Sequence, residues 1–372
     1  MAKACSSAST WHWRTPSKPP PSSAPEESAM AIKGSWYERD CRFIAAHHQP
    51  ALLLDLALAR DLDSHRLLRG SGLFHEDILG GQACISPQQF LQMIDNARRL
   101  LDADDSSFLF GQRLLPGHYG AASQALQQAG NLQQALELLV RLRALLSPLL
   151  APRLLLDEQR AYVVWLDACG CGEQRRFLLE ASMTALASCS RWLAGERLPW
   201  HFEFAHAQPR YIEQYWAHLG EDVAFARQVD VMSLPREYLT RPWPGASLTA
   251  GRVAEQQSLA QLQALGFSAS LLDRLYAHLR SHIRQTPNLD SVAQAFGMSP
   301  ATLKRKLGKH DSHFQEQLDL VRKHIALYLY RVKGYSNEEV AAYLQFNDST
   351  NFRRSFKRWT GLSPSALRQL LG

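Results

Sequence analysis

Residues 299–307 read Ser299-Pro300-Ala301-Thr302-Leu303-Lys304-Arg305-Lys306-Leu307. Serine is a favoured N-cap and proline a favoured first residue of a helix, so this stretch predicts a short helix. Leu303 and Leu307 lie four positions apart and share one face, which leaves the three basic residues between them mostly on the other. We therefore expect a helix with one buried edge and one basic edge.

A second helix is predicted directly before this one. Four apolar residues follow the i, i+3, i+4, i+7 spacing of a core-facing helix: Leu289, Val292, Ala293 and Phe296. Gly297 can supply the left-handed residue that ends this helix. A helix, a tight glycine turn and a basic helix, in that order, are typical of a helix-turn-helix.

The same pattern recurs about 48 residues further along the chain. The buried spacing of the first helix returns in Val340, Ala341 and Leu344. Phe352 and Phe356 then repeat the two leucines, and an Arg-Arg pair repeats the exposed Lys-Arg pair. Core packing explains the repeated apolar spacing but not the repeated basic pair, so the repeat favours DNA binding.

One long amphipathic helix is predicted between the two repeats. Its apolar residues step by three or four: Phe314, Leu318, Val321, Ile325, Leu329 and Val332. At 1.5 Å per residue such a helix is roughly 25 to 30 Å long. Successive major-groove openings on one face of B-DNA lie about 34 Å apart. A rigid connector of this length can place two recognition helices of one subunit in adjacent grooves.

The exposed positions of the two basic helices are the candidate DNA contacts. The residues predicted to face base edges are Ala301, Lys304, Arg305, Ser349, Thr350, Asn351 and Arg354. The residues predicted to contact phosphates are Lys309, Arg353 and Lys357. Arginine favours guanine edges in the major groove, whereas short polar side chains can read adenine or thymine or only fix the backbone.

The C-terminal residues resemble a known family. The tail Phe352-Arg353-Arg354-Ser355-Phe356-Lys357-Arg358-Trp359-Thr360-Gly361-Leu362-Ser363-Pro364 resembles the signature of AraC/XylS-type transcriptional regulators, and residues 269–372 resemble that family's DNA-binding domain. The family usually has glycine where this chain has Gln345 and Asp311. A positive φ costs a non-glycine residue about 1 kcal/mol, so we expect local strain at both positions if the family geometry is kept.

The basic charge of the chain is concentrated in the same segment. Residues 269–372 contain 16 Lys+Arg and 8 Asp+Glu, a net charge of +8, whereas the rest of the chain contains 25 and 27, a net of −2. Phosphate neutralisation requires this distribution. The 372 residues are 46% hydrophobic and 20% charged, which is ordinary globular composition with room for two cores.

The N-terminal part is predicted to be α+β. Helices are predicted at 51–62, 88–102, 131–146, 174–194 and 210–219. A β-hairpin is predicted over 153–169 with its turn at 157–159, and short strands at 202–204, 223–225 and 229–234. Runs of helices and strands without βαβ alternation give an α+β domain ahead of an all-α C-terminal domain with two helix-turn-helix motifs.

Residues of about 40–245 also resemble a known domain. The residues that carry the resemblance are Gly120, Leu132, Ala135, Leu136, Phe202–Pro209 and Leu219–Phe225. They are similar to the arabinose-binding-like domain of AraC-type regulators, which implies an effector-sensing and dimerising role. Among the aromatic residues, Trp165, Trp200 and Tyr211 are the candidates for an effector pocket.

Four segments follow from these patterns. Residues 1–35 are rich in serine and proline and are predicted to form a disordered tail, with Met30 as an alternative start. Residues 36–245 form the predicted effector-binding and dimerisation domain, 246–268 a linker helix and 269–372 the DNA-binding domain.

Other features predict neither a metal site nor a membrane span. Cys169-Gly170-Cys171 is predicted to be a turn carrying two thiols, with a redox or metal role as the alternative. His206 is predicted to be a structural hydrogen-bonding group rather than a ligand or catalyst. Residues 135–156, the most apolar region, are interrupted by arginine and proline. The scattered cysteines suit a reducing cytoplasm.

The sequence therefore predicts a cytoplasmic transcription regulator without a cofactor. Its expected partners are double-stranded DNA, a small-molecule effector, RNA polymerase and a second copy of the chain in a homodimer, and the family resemblance favours activation. An architectural DNA-binding protein without an effector is the alternative. An enzyme is disfavoured because the chain has no nucleophile elbow, phosphate-binding loop or His-Glu-x-x-His motif.

Overall fold

The computed structural model describes residues 35–371. Apart from Ser35, the predicted disordered tail lies outside the described residues, as does Gly372. The described chain forms two compact units, Trp36–Ser270 and the residues from Leu271 onward. An α+β N-terminal unit and an all-helical C-terminal unit were both predicted, and both are confirmed.

Short strands and one larger sheet make up the β structure of the N-terminal part. The strands are β1 Ser35–Tyr37, β2 Ile44–Ala45, β3 Cys84–Ile85, β4 Leu150–Leu156, β5 Arg160–Asp167, β6 His201–Glu203, β7 Val223–Ala224, β8 Val231–Pro235 and β9 Phe267–Ser270. The five-stranded sheet has the order β4-β5-β8-β6-β7, in which only β6 and β7 are parallel. Strands β1 and β9 pair with each other, as do β2 and β3.

The predicted hairpin is β4 and β5, with Leu154 opposite Val163. Its turn is closed by Asp157, whose Oδ1 accepts hydrogen bonds from the backbone N–H groups of Gln159 and Arg160 at 2.8 and 2.6 Å. The Tyr162 hydroxyl donates to the second carboxylate oxygen at 2.7 Å. An aspartate side chain that accepts hydrogen bonds from the backbone N–H groups of its own turn favours the tight reversal between the strands.

Eleven α-helices are described in the N-terminal unit: α1 Gln49–Leu58, α2 Ser64–Leu68, α3 His75–Leu79, α4 Pro87–Leu101, α5 Ser106–Leu114, α6 Ala121–Gln127, α7 Leu132–Arg141, α8 Arg143–Leu146, α9 Arg175–Ala194, α10 Ile212–His218 and α11 Leu248–Leu265. Two 3-10 turns, Gly172–Gln174 and Arg236–Leu239, lie between them.

Helices α5 and α9 approach closely in the core of this unit. A Cβ atom added to Gly111 of α5 would lie 2.5 Å from the carbonyl oxygen of Ala181 in α9, which is closer than atoms can pack. Helix α9 is buried along most of its length. The glycine therefore lets two backbones pack directly against each other beside the sheet.

Some predicted boundaries were wrong. The helix predicted over 131–146 is two helices, α7 and α8, because Leu142 leaves helical geometry with φ −95° and ψ 20°. The strand predicted from 229 begins at Val231, since Asp230 before it turns its carboxylate to Ala205 and Arg175. The predicted linker helix at 246–268 contains α11, Leu248–Leu265, which packs along α6 within the N-terminal unit.

The C-terminal unit is helical throughout its described residues. Its helices are α12 Leu271–Ser281, α13 Leu289–Ala295, α14 Pro300–Lys309, α15 Phe314–Arg331, α16 Asn337–Tyr343, α17 Ser349–Thr360 and α18 Pro364–Leu371, with a 3-10 turn at Ile283–Gln285. Helix α15 packs against α12, α16 and α17. It buries Leu318, Val321, Ile325 and Leu329, as the three-four spacing predicts.

Candidate nucleic-acid interface

The first helix-turn-helix is α13 and α14. Val292 and Ala293 of α13 are fully buried, and Gly297 takes the left-handed conformation with φ +67°. Ser299 then caps α14 by accepting a hydrogen bond from the backbone N–H of Thr302 at 3.2 Å. The glycine reverses the chain and the serine starts the next helix, so the order predicted from the sequence is confirmed.

The second helix-turn-helix is α16 and α17. Its turn contains Gln345 in the left-handed region, with φ +59°. Asp348 caps α17 by accepting from the backbone N–H of Asn351 at 2.7 Å. Asp311, before α15, also has a positive φ of +52°. The structure therefore keeps a glycine-like backbone at the two positions where the sequence departs from the family pattern.

The two recognition helices, α14 and α17, have fully buried faces opposite exposed ones. Leu303 and Leu307 of α14 and Phe352 and Phe356 of α17 have no solvent exposure. The exposed residues among the predicted base contacts are Ala301, Lys304, Arg305, Thr350, Asn351 and Arg354, and Ser349 is half-buried. The predicted phosphate contacts Lys309, Arg353 and Lys357 are all exposed. The predicted DNA contacts thus form two groups, one on each recognition helix.

Asn351 has a hydrogen bond that the sequence did not reveal. Its side-chain Nδ2 donates to Asp348 Oδ2 at 2.5 Å, while its backbone N–H donates to the other carboxylate oxygen. If Asn351 is to pair with an adenine edge through both its Oδ1 and its Nδ2, the Nδ2 group must first break its hydrogen bond with Asp348. Within α17, Thr350 and Arg354 therefore present freer side chains than Asn351.

An aromatic cluster supports α17. The rings of Phe346, Phe352, Phe356 and Trp359 lie 5.5 to 6.5 Å apart in tilted and edge-on pairs. The Arg322 guanidinium of α15 lies 5.5 Å from the Phe346 ring. Helix α15 has 18 residues and is about 27 Å long. This helix and the aromatic cluster fix α17 on the connector.

The first helix-turn-helix also contacts a histidine of α12. The His278 ring stacks on His282 at 4.2 Å and meets the edge of Phe296, the residue that ends α13, at 5.6 Å. Burial, with the neighbouring His282, lowers the pKa of His278 to about 4. A histidine that stays neutral in the folded protein makes this packing sensitive to acid.

The three effector-pocket candidates lie in different environments. Trp165 of β5 is buried and lines an internal cavity beside α5 and α9. Trp200 is also buried, and its Nε1 donates to Ser190 Oγ at 3.1 Å. Tyr211 is half-buried, and its hydroxyl donates to Glu180 Oε1 at 3.1 Å. Only Trp165 of the three lines this cavity.

A buried carboxylate joins α5, α9 and α10. Glu180 Oε2 accepts from Ser107 Oγ at 2.6 Å, and its Oε1 accepts from Tyr215 and Tyr211 hydroxyls and from Arg176 Nε. Burial raises the pKa of both tyrosines, so they remain donors. A buried carboxylate with four donors is satisfied, and its main effect is to hold three helices in register.

His206 lies between two polar groups, in keeping with the structural role that the sequence predicts. Its Nδ1 donates to the carbonyl oxygen of Ala207 at 2.9 Å, and its Nε2 lies 3.2 Å from the Tyr215 hydroxyl. Burial lowers its pKa. Between residues 35 and 371, no group of three or more histidine, cysteine, aspartate and glutamate side chains has a metal-binding arrangement.

The Cys169-Gly170-Cys171 segment is a turn held by Asp167. The Asp167 carboxylate accepts from the backbone N–H groups of all three residues at 2.8 to 2.9 Å. Each thiol lies 3.4 Å from a backbone carbonyl oxygen, and burial raises the pKa of both. Buried protonated thiols suit the turn interpretation better than redox or metal chemistry.

None of the helices in the part of the chain that the structure describes is long and apolar enough to cross a membrane.

Two family models match the chain. The arabinose-binding domain of AraC transcription regulators matches residues 62–243, and a helix-turn-helix domain matches residues 292–370. The ornithine utilization regulator of Pseudomonas aeruginosa is 29% identical over 318 residues, which cover 85% of this chain and 94% of that protein. The transcriptional activator RhaS of Escherichia coli is 35% identical over 103 residues, covering 27% of this chain and 37% of RhaS.

A solved structure is also similar. The crystal structure of the transcriptional regulator CdpR from Pseudomonas aeruginosa covers 86% of this chain and 98% of CdpR, with 22% identity and a TM-score of 0.40. The two matched domains, in this order, and the two helix-turn-helix motifs give the chain its family. It belongs to the AraC family of DNA-binding transcriptional regulators, with an arabinose-binding-like N-terminal domain.

Proposed function

We propose that one subunit binds a two-part DNA site through α14 and α17, and that a small effector in the N-terminal unit controls this binding and activates transcription. The observation that carries the proposal is the pair of exposed basic faces on two helices that one long helix, α15, connects along the chain. Lys304 and Arg305 on α14 and Arg353 and Arg354 on α17 point away from fully buried residues of the same helices. Helix α17 packs against α15, and α14 packs against α13.

The length of α15 supports the two-part site. A connector of about 27 Å is comparable with the roughly 34 Å between successive major-groove openings on one face of DNA. Each recognition helix would then read one half-site. The half-sites would lie about one helical turn, or 10 to 10.5 base pairs, apart.

Similarity to known regulators supports activation and effector control. RhaS, which resembles the C-terminal part of this chain, is described as an activator. The ornithine utilization regulator, which resembles both parts, is named for the use of a small metabolite. By analogy, the protein acts in the cytoplasm, recruits RNA polymerase at its promoters and associates as a dimer through the N-terminal unit.

Selection of binding sites from random DNA tests the DNA-binding proposal. The full-length protein should enrich sites with two conserved segments one helical turn apart. The double variant Lys304→Ala, Arg305→Ala should lose one segment, and the matched variant Arg353→Ala, Arg354→Ala should lose the other. Enrichment of a single segment by the wild-type protein would contradict binding through both helices.

Effector control has a separate test. A metabolite that raises the melting temperature of the protein should also change its affinity for the selected DNA by about 1 to 3 kcal/mol, because coupling between two sites is reciprocal. A reporter gene behind the selected site should respond with increased transcription. Stabilisation without any change in DNA affinity would favour an architectural role over a regulated one.

A further inference from the structure

The two helix-turn-helix motifs are both attached to the connector α15. Helix α12, which leads into the first motif, packs against α15, and α15 packs against α16, the first helix of the second motif. The Tyr276 hydroxyl of α12 lies 3.0 Å from His324 Nδ1 of α15. The Tyr330 hydroxyl of α15 donates to Asn337 Oδ1 of α16 at 3.0 Å. Packing and a polar contact thus attach each motif to the connector.

A further contact joins the segment that leads into the first motif directly to the second motif. Arg284 lies in the 3-10 turn Ile283–Gln285, between α12 and α13, and its Cζ lies 5.5 Å from the centroid of the Tyr343 ring. Tyr343 is the last residue of α16. A guanidinium within about 6 Å of a ring centroid is attracted to the π face of the ring. The contact closes a triangle whose other two sides are the packing of α12 and of α16 on α15.

The backbone on each side of this contact is anchored in a core. Ile283, next to Arg284, is 3% exposed, and Leu344, next to Tyr343, is 1% exposed. Tyr343 itself is half-buried and Arg284 is exposed. Because both contacting side chains project from anchored positions, rotation of one motif against the other about α15 would separate the guanidinium from the ring. The contact therefore resists that rotation.

A rotation of this kind changes which DNA sites the protein can occupy. One base pair advances along the duplex by about 3.4 Å and turns by about 35°. Two half-sites that are moved apart by one base pair therefore require a different angle between the two motifs. A cation–π pair with an exposed arginine shifts an equilibrium by about two- to fivefold, which is enough to favour one spacing over its neighbours.

We infer that Arg284 and Tyr343 are positioning residues that set the preferred spacing of the two half-sites. They act through the angle between the two motifs, while α14 and α17 contact the bases. This inference rests on the proposed two-part site and adds the residues that determine its spacing.

A DNA library with variable spacing tests the inference on the full-length protein. The library carries the two segments that wild type selects, with the distance between them varied in steps of one base pair. Tyr343→Leu should reduce the preference for the best spacing over its two neighbours by about two- to fivefold, with unchanged base preferences within each segment. Tyr343→Phe keeps the ring and should match wild type. A wild-type spacing preference in Tyr343→Leu would overturn the inference.

Variants of the arginine test the other side of the contact. Arg284→Gln should reduce the spacing preference as much as Tyr343→Leu does. Lys333→Gln removes the same charge from an exposed residue of the same unit and should leave the spacing preference unchanged. The double variant Arg284→Gln, Tyr343→Leu should lose no more than either single variant, because one contact can be lost only once. Losses that add in the double variant would show that the two residues act independently.

A direct phosphate contact by Arg284 gives a different result. In that case Arg284→Gln would lower the slope of log affinity against log salt by about one unit and leave the spacing preference intact, which would overturn the inference. If Tyr343→Leu does not fold, Arg284→Gln at its exposed position decides between these results. The two-part site itself fails if wild type enriches a single segment. Two segments at one preferred spacing in wild type and in every folded variant would overturn only the role of Arg284 and Tyr343.

Discussion

Arg358 of α17 donates from Nη2 to Asp319 Oδ2 of α15 at 2.9 Å, so an ion pair ties the second recognition helix to the connector. The Asp319 side chain is 17% exposed and that of Arg358 is 61% exposed. Asp319 Oδ1 also accepts from Gln315 Nε2 at 2.8 Å, which fixes the carboxylate. The carboxylate therefore accepts two hydrogen bonds at a mostly buried position, whereas the arginine is largely in solvent.

Replacing Asp319 by asparagine should weaken the second half-site selectively. The exposed arginine limits the loss of stability to less than about 1 kcal/mol, because solvent screens the pair. Footprints of the variant should show reduced protection of the half-site read by α17 and normal protection of the other. Glu316→Gln removes the same charge from the same helix and is the matched control. If both variants change both half-sites equally, the ion pair does not position α17.

Gln345→Gly should stabilise the protein. Gln345 has φ +59°, and a residue with a Cβ in this region loses about 1 kcal/mol relative to glycine. Thermal unfolding should therefore show the variant to be more stable by about that amount. Gln345→Ala is the control, because it also removes the side chain but retains the Cβ, and it should give no gain. A stabilised alanine variant would indicate that the glutamine side chain, rather than the backbone, carries the strain.

The parts of the fold that the sequence predicted are those with local periodicity. The buried faces of α14 and α17 follow from residues four apart, and the strain at Gln345 follows from a glycine position filled by another residue. The pairing of β1 with β9 could not be predicted, because each strand is short and its partner lies at the other end of the unit. The sequence also could not predict that the Nε1–H of the buried Trp165 has no acceptor among the described residues. The apolar pattern of a strand predicts that the indole is buried, but it does not show which groups surround it.

Lys357→Ala should weaken binding to all DNA sequences alike. Lys357 is exposed on α17, and a phosphate contact contributes through counterion release without reading a base. The slope of log affinity against log salt should fall by about one unit, and the preferred sequence should stay the same. Lys309→Ala should behave in the same way. Arg191→Ala, at an exposed residue of α9, should leave the slope unchanged.

Acid should destabilise the first helix-turn-helix through His278. Burial lowers its pKa to about 4 in the folded protein, against 6.5 in the unfolded chain. Between these values the unfolded chain binds more protons, so the stability that is present above pH 6.5 is lost as the pH falls towards 4. Because the ring is only half-buried, screening limits the loss to about 1 kcal/mol. His278→Gln should have a flatter profile in denaturant titrations at pH 4 to 7 than wild type, and parallel profiles would exclude His278 as the source.

The two recognition helices should read different positions of one site. Arg305 on α14 has a long exposed side chain beside the small Ala301, so it can reach a guanine edge, whereas α17 presents Thr350 and Arg354 beside an Asn351 held by Asp348. Arg305→Ala should cost about 1 to 3 kcal/mol of DNA-binding free energy and relax specificity at one or two positions of its half-site.

Arg305→Lys keeps the charge and loses the bidentate geometry, so its salt slope should match wild type while specificity at the same positions is lost. Arg354→Ala should affect positions one helical turn away. Selected-site sequencing of the three variants decides the matter: if Arg305→Ala and Arg354→Ala relax the same base positions, a single subunit does not place its two helices in adjacent grooves.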